Sequence, residues 1–241
     1  MLRSLRIAVT FLTPVHLPIS PPAQMSEVGR AAWAFPVVGA AIGLVLVAAR
    51  FGLAIHLADS VSAVLIVGLW IFLTGGLHLD GWADCCDALP TAVPLERRRE
   101  ILKDSRIGTF GVLGLILLLA LKVTALAQSS LPVVALFIAP VTGRSLMVIC
   151  ASRVPGAGEG MGGQFVAGLS SRIVFLAAIF GLIPAAIAGA NAIIALVLAL
   201  IGAFLFTRIA EQRLGIINGD VLGAVCELSE TIVLVTCSIK W

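Results

Sequence analysis

The chain has 241 residues, of which 60% are hydrophobic and only 12% are charged, and its formal net charge is +3. Its mean hydropathy of +1.11 is far from that of soluble globular proteins, which average about 45–50% apolar and about 25% charged residues. This composition excludes an ordinary soluble domain and predicts an all-α, polytopic integral membrane helical bundle. The basic residues flank apolar runs, which is typical of membrane topology and indicates no nucleic-acid patch.

Apolar runs recur along the whole sequence and predict one membrane domain over residues 1–241. Residues 1–29 contain an apolar stretch too short to cross a bilayer, so this segment is predicted to lie at the membrane interface. About seven spans are predicted. They are Ala31–Ala49, Val61–Leu79, Phe110–Leu126, Leu131–Ala151, Ile173–Gly189, Ala192–Phe206 and Val221–Ile239. The fifth and sixth are separated by few residues and should form an antiparallel hairpin.

The placement of Lys and Arg predicts the orientation of these spans. With the N-terminus in the cytoplasm, most basic residues fall on the cytoplasmic side, and the opposite side keeps only Arg50 and Lys240. Three polar, glycine-containing segments then share the cytoplasmic face, and they are residues 80–109, 152–172 and 207–220. Because sites are commonly built on loops that a rigid scaffold positions, we expect an active-site loop at 80–109, facing the cytoplasm.

Acidic residues cluster in the stretch 75–111. It holds six of the thirteen acidic residues in the chain. Asp80, Asp84 and Asp87 are spaced i, i+4, i+7, so a helix would carry all three carboxylates on one face. Unpaired, they would repel one another, whereas Mg²⁺ or Mn²⁺ would remove that repulsion. The alternative is a solvated charge cluster with the basic residues of 97–103. Spacing alone does not separate the two.

The segment 103–111 comes directly before the third predicted span. Gly108 and Gly111 allow close backbone approach, and Thr109 can cap a helix whose N-terminus favours an anion. Arg106 can bind a phosphate in bidentate fashion. The alternative is a capped helix start with snorkelling basic side chains, and it is favoured for this segment taken alone.

Two carboxylates lie within the last apolar run, where a charge is costly and needs a partner. These are Glu227 and Glu230, and their candidate partners are Arg144, Lys122 or a metal ion. Asp220 follows an Asn-Gly turn and shares a helical face with Glu227, seven residues later. We favour a structural ion pair between spans for Glu230 and a functional role for Asp220.

Two motifs resemble those of one enzyme family. GGLHLDGWADCCDA at 75–88, followed by ILKDSRIGTFG at 101–111, resembles cobalamin synthase, which is also called adenosylcobinamide-GDP ribazoletransferase. The stretches 35–43 and 218–227 are also similar to that family, so the resemblance spans nearly the whole chain in order. The departures from the family pattern are Trp82 and Ile216.

The resemblance implies a reaction and a setting. A hydroxyl of α-ribazole, or of its 5′-phosphate, attacks the cobinamide-linked phosphate of adenosylcobinamide-GDP. GMP leaves, and adenosylcobalamin or its 5′-phosphate forms in the late nucleotide-loop assembly of cobalamin. The family implies a divalent cation, usually Mg²⁺, and the cytoplasmic (inner) membrane of a prokaryote, with the lipid bilayer as a partner. The sequence leaves homo-oligomers and partners from the same pathway open.

The resemblance and the residue chemistry together give expected site residues. The expected metal ligands are Asp80, Asp84 and Asp87. The expected catalytic residues are Asp104, Arg106 and Asp220. Asp104 or Asp220 would orient the attacking hydroxyl or complete the metal shell. Arg106 would bind phosphate. The expected substrate-binding residues are Ser105, Gly108, Thr109, Asn218 and Glu227.

Two other functions compete with this one. A lipid enzyme resembling the CDP-alcohol phosphotransferases also uses membrane aspartates, a metal and a nucleotide leaving group. Its Asp-Gly pair is followed by Ala-Arg, whereas Asp80-Gly81 is followed by Ala83-Asp84, so that pattern fails. An ion-coupled transporter would use the acids and bases within the spans, but the crowding of acids on one face argues against it.

Overall fold

The computed structural model describes residues 1–128, 133–153 and 161–239, and within these residues the secondary structure is helical throughout. The helices are α1 (Leu2–Leu12), α2 (Met25–Ala31), α3 (Phe35–Ala54), α4 (Asp59–Thr74), α5 (Leu77–Ala88), α6 (Leu95–Ile101), α7 (Thr109–Leu126), α8 (Val134–Ala151), α9 (Met161–Ala167), α10 (Ser171–Ala188), α11 (Ala190–Leu214) and α12 (Gly219–Ser238). A short 3₁₀ turn, Ala32–Ala34, joins α2 to α3. The all-α prediction is confirmed.

Six helical segments of the described chain are long and apolar enough to cross a membrane. They are α2–α3 taken together, α7, α8, α10, α11 and α12. A seventh is counted if α4 and α5 form one bent span. The prediction of about seven spans is confirmed, and the direction in which the chain enters the membrane stays a prediction. The first residues of the predicted fourth span, and residues 154–160 of the polar segment 152–172, lie outside the described residues.

The second predicted span is interrupted by a sharp bend. Gly75 and Gly76 have φ of +63° and +70°, a left-handed conformation that side chains other than glycine rarely adopt. α4 therefore ends at Thr74, before the predicted Leu79, and α5 leaves it at 96°. The predicted active-site loop at 80–109 is consequently not a simple loop. It contains most of α5, all of α6 and the first residue of α7.

Helices α8 and α12 form the centre of the bundle, because both are buried along most of their length. α3, α5, α10 and α11 pack around them. α1 adds Ile7, Ala8 and Leu12 to the core, and Arg3 binds Glu27 of α2 at 3.1 Å. The interfacial position predicted for residues 1–29 stays a prediction.

Helices α10 and α11 form the predicted antiparallel hairpin, turning at Gly189 with φ of +99°. Their buried residues are nearly all small. They are Ala177, Gly181 and Ala185 on α10, and Ala192, Ala195, Ala199, Ala203, Thr207, Ala210 and Leu214 on α11. Between membrane helices, small residues allow the close packing that drives association. α11 also extends eight residues beyond the predicted end at Phe206.

Contacts gather several helix ends at one end of the bundle. Arg99 of α6 donates from Nε to the carbonyl oxygen of Leu214, the last residue of α11, at 2.9 Å. The backbone of α5 at Gly81 lies against that of Asp220, at the start of α12. Asp87 of α5 binds the N-terminal turn of α7. The structure thus brings the two motif regions, 75–111 and 218–227, to the same end.

Candidate active site

Asp80 and Asp84 lie on the face of α5 that points away from the core. Asp80 is exposed and Asp84 is half-buried. In the part of the chain that the structure describes, neither carboxylate accepts a side-chain or backbone hydrogen bond or joins an ion pair. Two neighbouring carboxylates without a cation are electrostatically unfavourable. This pair is therefore a place where a bound cation would be stabilising.

The basic residues of α6 do not neutralise this face. Arg97 binds Glu100 of its own helix at 2.6 Å, and the two arginines that follow it donate to backbone carbonyl oxygens. Arg106, in the connection after α6, binds Asp104. Among the described residues, no ion pair joins the α5 aspartates to the basic residues of 97–103, Lys103 included, so the predicted alternative of a charge cluster is wrong there.

Asp220 is brought beside the α5 aspartates by a close helix crossing. A Cβ atom on Gly81 would lie only 2.7 Å from the carbonyl oxygen of Asp220, so a glycine is required where α5 passes the start of α12. Asp80 and Asp84 both lie within electrostatic reach of Asp220. We call Asp80, Asp84 and Asp220 the acidic cluster. The functional role predicted for Asp220 stays a prediction.

Asn218 fixes the side chain of Asp220. Its Oδ1 accepts from the N–H of Val221 at 3.1 Å, which makes Asn218 the N-cap of α12. Its Nδ2 donates to Asp220 Oδ2 at 2.6 Å. Asn218 therefore orients a carboxylate of the acidic cluster, and its predicted contact with substrate stays a prediction.

Asp87 has a different environment from the other two α5 aspartates. Its Oδ2 accepts from the N–H of Gly108 at 2.7 Å, and its Oδ1 accepts from the N–H of Gly111 at 2.8 Å. These N–H groups belong to the first turn of α7, so Asp87 satisfies donors that a helix N-terminus leaves free. The prediction that Thr109 caps this helix is wrong, because Thr109 is its first residue and Asp87 supplies the acceptor.

Gly108 and Gly111 are explained by the same contact. A Cβ atom on either residue would collide with the carboxylate of Asp87. The sequence predicts a close approach at these glycines, and the structure shows that the approaching group is a side chain of α5. The predicted substrate contacts of Ser105, Gly108 and Thr109 stay predictions. Ser105 and Thr109 are exposed at this end of the bundle.

Asp104 and Arg106 form an exposed pair in the connection between α6 and α7. Arg106 donates from Nη2 to Asp104 Oδ2 at 2.7 Å and from Nε to Oδ1 at 3.0 Å. These bonds from Arg106 lower the pKa of Asp104 to about 2, so the carboxyl is ionised at neutral pH. The guanidinium is 86% exposed, which leaves it accessible to an anion. Their catalytic roles stay predictions.

A separate group of charges is buried in the centre of the bundle. Lys122 Nζ binds Glu227 Oε2 at 2.6 Å and Glu230 Oε2 at 2.7 Å, and Arg144 Nη1 binds Glu230 Oε1. The ion pairing predicted for Glu230 is confirmed. Glu227 is paired as well, and its predicted role in substrate binding stays a prediction. We call Lys122, Arg144, Glu227 and Glu230 the buried quartet.

His78 is the residue that the sequence did not connect with these charges. It is only 3% exposed, and its Nδ1 lies 3.5 Å from Nη2 of Arg144. His78 and Asp80 point to different sides of α5, as residues two apart on a helix do. The available signal for the contact was the position of Arg144 within the predicted fourth span, where a charged side chain needs polar partners.

No group of three or more His, Cys, Asp or Glu side chains within residues 1–128, 133–153 and 161–239 is arranged to hold a metal ion by itself. Mg²⁺ commonly uses one or two protein carboxylates and takes its other ligands from water and substrate phosphate. The unpaired carboxylates of Asp80 and Asp84 fit that manner of binding.

Comparisons with known proteins agree with the motifs. A family model described as cobalamin-5-phosphate synthase matches residues 4–238. A protein of Brevibacillus brevis named adenosylcobinamide-GDP ribazoletransferase is 34% identical over 241 residues, covering 97% of both chains. Proteins of the same name from Alkaliphilus metalliredigens and Roseiflexus sp. are 38% and 35% identical, covering 81% and 97% of this chain and 79% and 88% of their own lengths. No solved structure matches the chain. Because the family model matches nearly the whole sequence, the chain belongs to the cobalamin-5-phosphate synthase family.

Proposed function

We propose that this protein is a transferase that joins adenosylcobinamide-GDP to α-ribazole, or to α-ribazole 5′-phosphate. The products are GMP and adenosylcobalamin, or adenosylcobalamin 5′-phosphate. The observation that carries the proposal is the end-to-end similarity to relatives named adenosylcobinamide-GDP ribazoletransferase. The position of the acidic cluster supports it, because the two motifs meet there.

The reaction is a substitution at phosphorus. The ribazole hydroxyl oxygen forms a bond to the cobinamide-linked phosphorus, and the bond from that phosphorus to the bridging oxygen breaks. GMP leaves with the bridging oxygen, and the hydroxyl loses its proton. Catalysis of such a transfer depends mainly on positioning the groups and on neutralising charge at the phosphates. The site therefore needs anion-stabilising groups and a proton acceptor at one end of the bundle.

A divalent cation, Mg²⁺ or Mn²⁺, is part of this proposal. Asp80 and Asp84 would hold it, because their carboxylates have no other partner among the described residues and hard oxygen ligands suit these ions. Bound there, the cation would neutralise charge on the pyrophosphate. Asp87 was expected as a third ligand, but both of its oxygens accept backbone hydrogen bonds. We assign it the task of holding α7 to α5.

The remaining roles follow from position. Asp220 is held by Asn218 beside the α5 aspartates, which suits it to orient the attacking hydroxyl and to accept its proton. Arg106 has an exposed guanidinium that suits it to bind a substrate phosphate. The site would face the cytoplasm of a prokaryotic cell from the inner membrane. The Lys and Arg distribution along the chain supports this orientation.

The proposal is tested by measuring GMP release from adenosylcobinamide-GDP by the purified protein in lipid, with Mg²⁺ and either form of ribazole. Asp84→Ala removes a carboxylate of the acidic cluster, and release should fall about 100-fold or more. Glu100→Gln is the matched control, because it removes an exposed carboxylate of α6 whose one ion-pair partner among the described residues is Arg97. It should release GMP at the parent rate.

Three results would change the proposal. A folded parent protein that releases no GMP with either ribazole would exclude the transferase and favour the lipid enzyme with a nucleotide leaving group. Release that persists in Asp84→Ala would keep the reaction and remove the cation from Asp84. Release that is unaffected by a chelator would exclude the divalent cation.

A further inference from the structure

The bend between α4 and α5 is held on both sides by the buried quartet. On the α4 side, Lys122 Nζ lies 4.5 Å from the ring centroid of Trp70, a cation–π contact. On the α5 side, Arg144 Nη2 lies 3.5 Å from His78 Nδ1. Both cations bind Glu230, one at each carboxylate oxygen. A single carboxylate on α12 thus connects the two arms of the bend.

The quartet is balanced and closed to solvent. Two cations face two carboxylates, so their formal charges sum to zero, and Arg144 and Glu230 are fully buried. Removing one member leaves an uncompensated charge in a low-dielectric environment, which is strongly unfavourable. The side chains are therefore held in one arrangement, and any helix that contacts them is held as well.

The direction of α5 matters for the acidic cluster. α5 crosses α12 at two close points, Gly81 against the backbone of Asp220 and Gly223 against the backbone of His78. Such backbone contacts tolerate little rotation. A change in the angle between α4 and α5 that turns α5 against α12 would strain these contacts and move Asp80 and Asp84 relative to Asp220.

Glu230 is too far from the acidic cluster to touch a substrate there. It follows Asp220 by ten residues on α12, which corresponds to about 15 Å along a helix axis. It is also completely buried. Any influence of Glu230 on the reaction must pass through the helices that it joins.

We propose that Glu230 is a positioning residue that fixes the angle between α4 and α5, and thereby the place of Asp80 and Asp84 against Asp220. It does so by binding Lys122 with one carboxylate oxygen and Arg144 with the other. The consequence for the reaction rests on the proposed function, whereas the consequence for the helix angle does not.

The helix angle is measured by pulsed electron paramagnetic resonance between nitroxide labels on the two arms. Leu65→Cys on α4 and Pro90→Cys after α5 are exposed positions for the labels. Cys86→Ala is included in every sample, because Cys86 is only partly buried while the other four cysteines are buried. Glu230→Gln keeps the size of the side chain and loses its charge. Glu211→Gln, which removes an exposed carboxylate paired with Arg208, is the matched control.

The parent and Glu211→Gln should give one narrow distance distribution, and Glu230→Gln should give a broadened or shifted one. If Glu230→Gln does not fold, Lys122→Met/Glu230→Gln is measured instead. It removes one cation with one anion and should give the same broadening. An unchanged distribution in a folded variant lacking Glu230 would overturn the proposal.

GMP release provides the second readout. The folded variants lacking Glu230 should show kcat at least tenfold lower and a Mg²⁺ concentration for half-maximal rate at least threefold higher, with the protein still folded at the assay temperature. A kcat that falls only in proportion to the folded fraction, with unchanged Mg²⁺ dependence, would overturn positioning. A parent that releases no GMP would count against the proposed function, and the label distances would then decide the inference alone.

Discussion

Asp87 provides a sharp test of how the aspartates of α5 divide their tasks. Asp87→Ala removes the acceptor of two backbone N–H groups, those of Gly108 and Gly111. Loss of a helix cap costs about 0.5–2 kcal/mol, and one hydrogen bond to a charged group contributes about 1.5–3 kcal/mol. Because Asp87 is half-buried, water can replace part of both bonds, and we expect a loss of about 2 kcal/mol in the free energy of unfolding.

The assay is thermal unfolding in detergent, followed with a dye that fluoresces on reaction with thiols. Four of the five free cysteines are buried, so they become reactive when the protein unfolds. A loss of about 2 kcal/mol lowers Tm by about 4–8 °C in a chain of this size. Asp87→Asn keeps one acceptor oxygen, so its loss should be about half as large.

Measurements of GMP release distinguish whether Asp87 acts as a helix cap or as a metal ligand. Asp87→Asn should keep GMP release within about tenfold of the parent, because helix capping is only weakened. Asp84→Asn should lose about 100-fold or more, because it removes a charged ligand of the proposed cation that neutralises the substrate phosphates. If Asp87→Asn unfolded at the parent Tm and lost activity as completely as Asp84→Asn, the assignment of Asp87 as a cap would be refuted.

Two further predictions concern the surroundings of the acidic cluster. Gly81→Ala places a Cβ atom 2.7 Å from the carbonyl oxygen of Asp220, so we expect a loss of about 1–3 kcal/mol in stability and reduced GMP release. Gly68→Ala on α4, where a Cβ atom meets no atom within 4 Å, should leave stability and GMP release unchanged. Equal effects of Gly81→Ala and Gly68→Ala would contradict the close crossing of α5 and α12. The pKa of Asp104 is lowered to about 2 from 3.8, so its ion pair with Arg106 stabilises the folded protein above the unfolded pKa and loses this effect as pH falls toward 2. The Tm difference between the parent and Asp104→Asn should therefore be constant above about pH 5 and shrink below about pH 4, and a difference that grew with acid would contradict the pairing.

The spans were predictable because a bilayer imposes a length on every apolar run. The ends of α7 and α8 lie where the sequence placed them, at Leu126 and Ala151. The bend at Gly75 and Gly76 was not predicted, because apolar residues continue through it and hydropathy does not register a change of direction. The adjacent glycines were the available signal, since the left-handed conformation of both requires residues without a side chain.

The sequence predicted which residues belong to the candidate site better than it predicted the contacts that they make. A carboxylate within an apolar run demands a partner, so the pairing of Glu230 followed from the sequence. Helical spacing placed Asp87 on the face of Asp80 and Asp84, as the structure does, but spacing along one helix says nothing about the next. The approach of α7 to Asp87 is a tertiary contact, and it gave this carboxylate two backbone N–H partners that spacing along α5 could not predict.

The alanine faces of α10 and α11 reverse the usual relation between the size of a residue and its sensitivity to substitution. In a soluble core the largest side chains are the least replaceable. Here large residues such as Phe175, Ile187 and Leu205 point outward, where a surrounding bilayer would fit around any apolar shape. Buried positions such as Ala195 and Ala199 allow α11 to pack closely against its neighbouring helices, so a larger side chain there is expected to disturb the packing. Natural variation in this hairpin should therefore be wide at its bulky positions and narrow at its alanines.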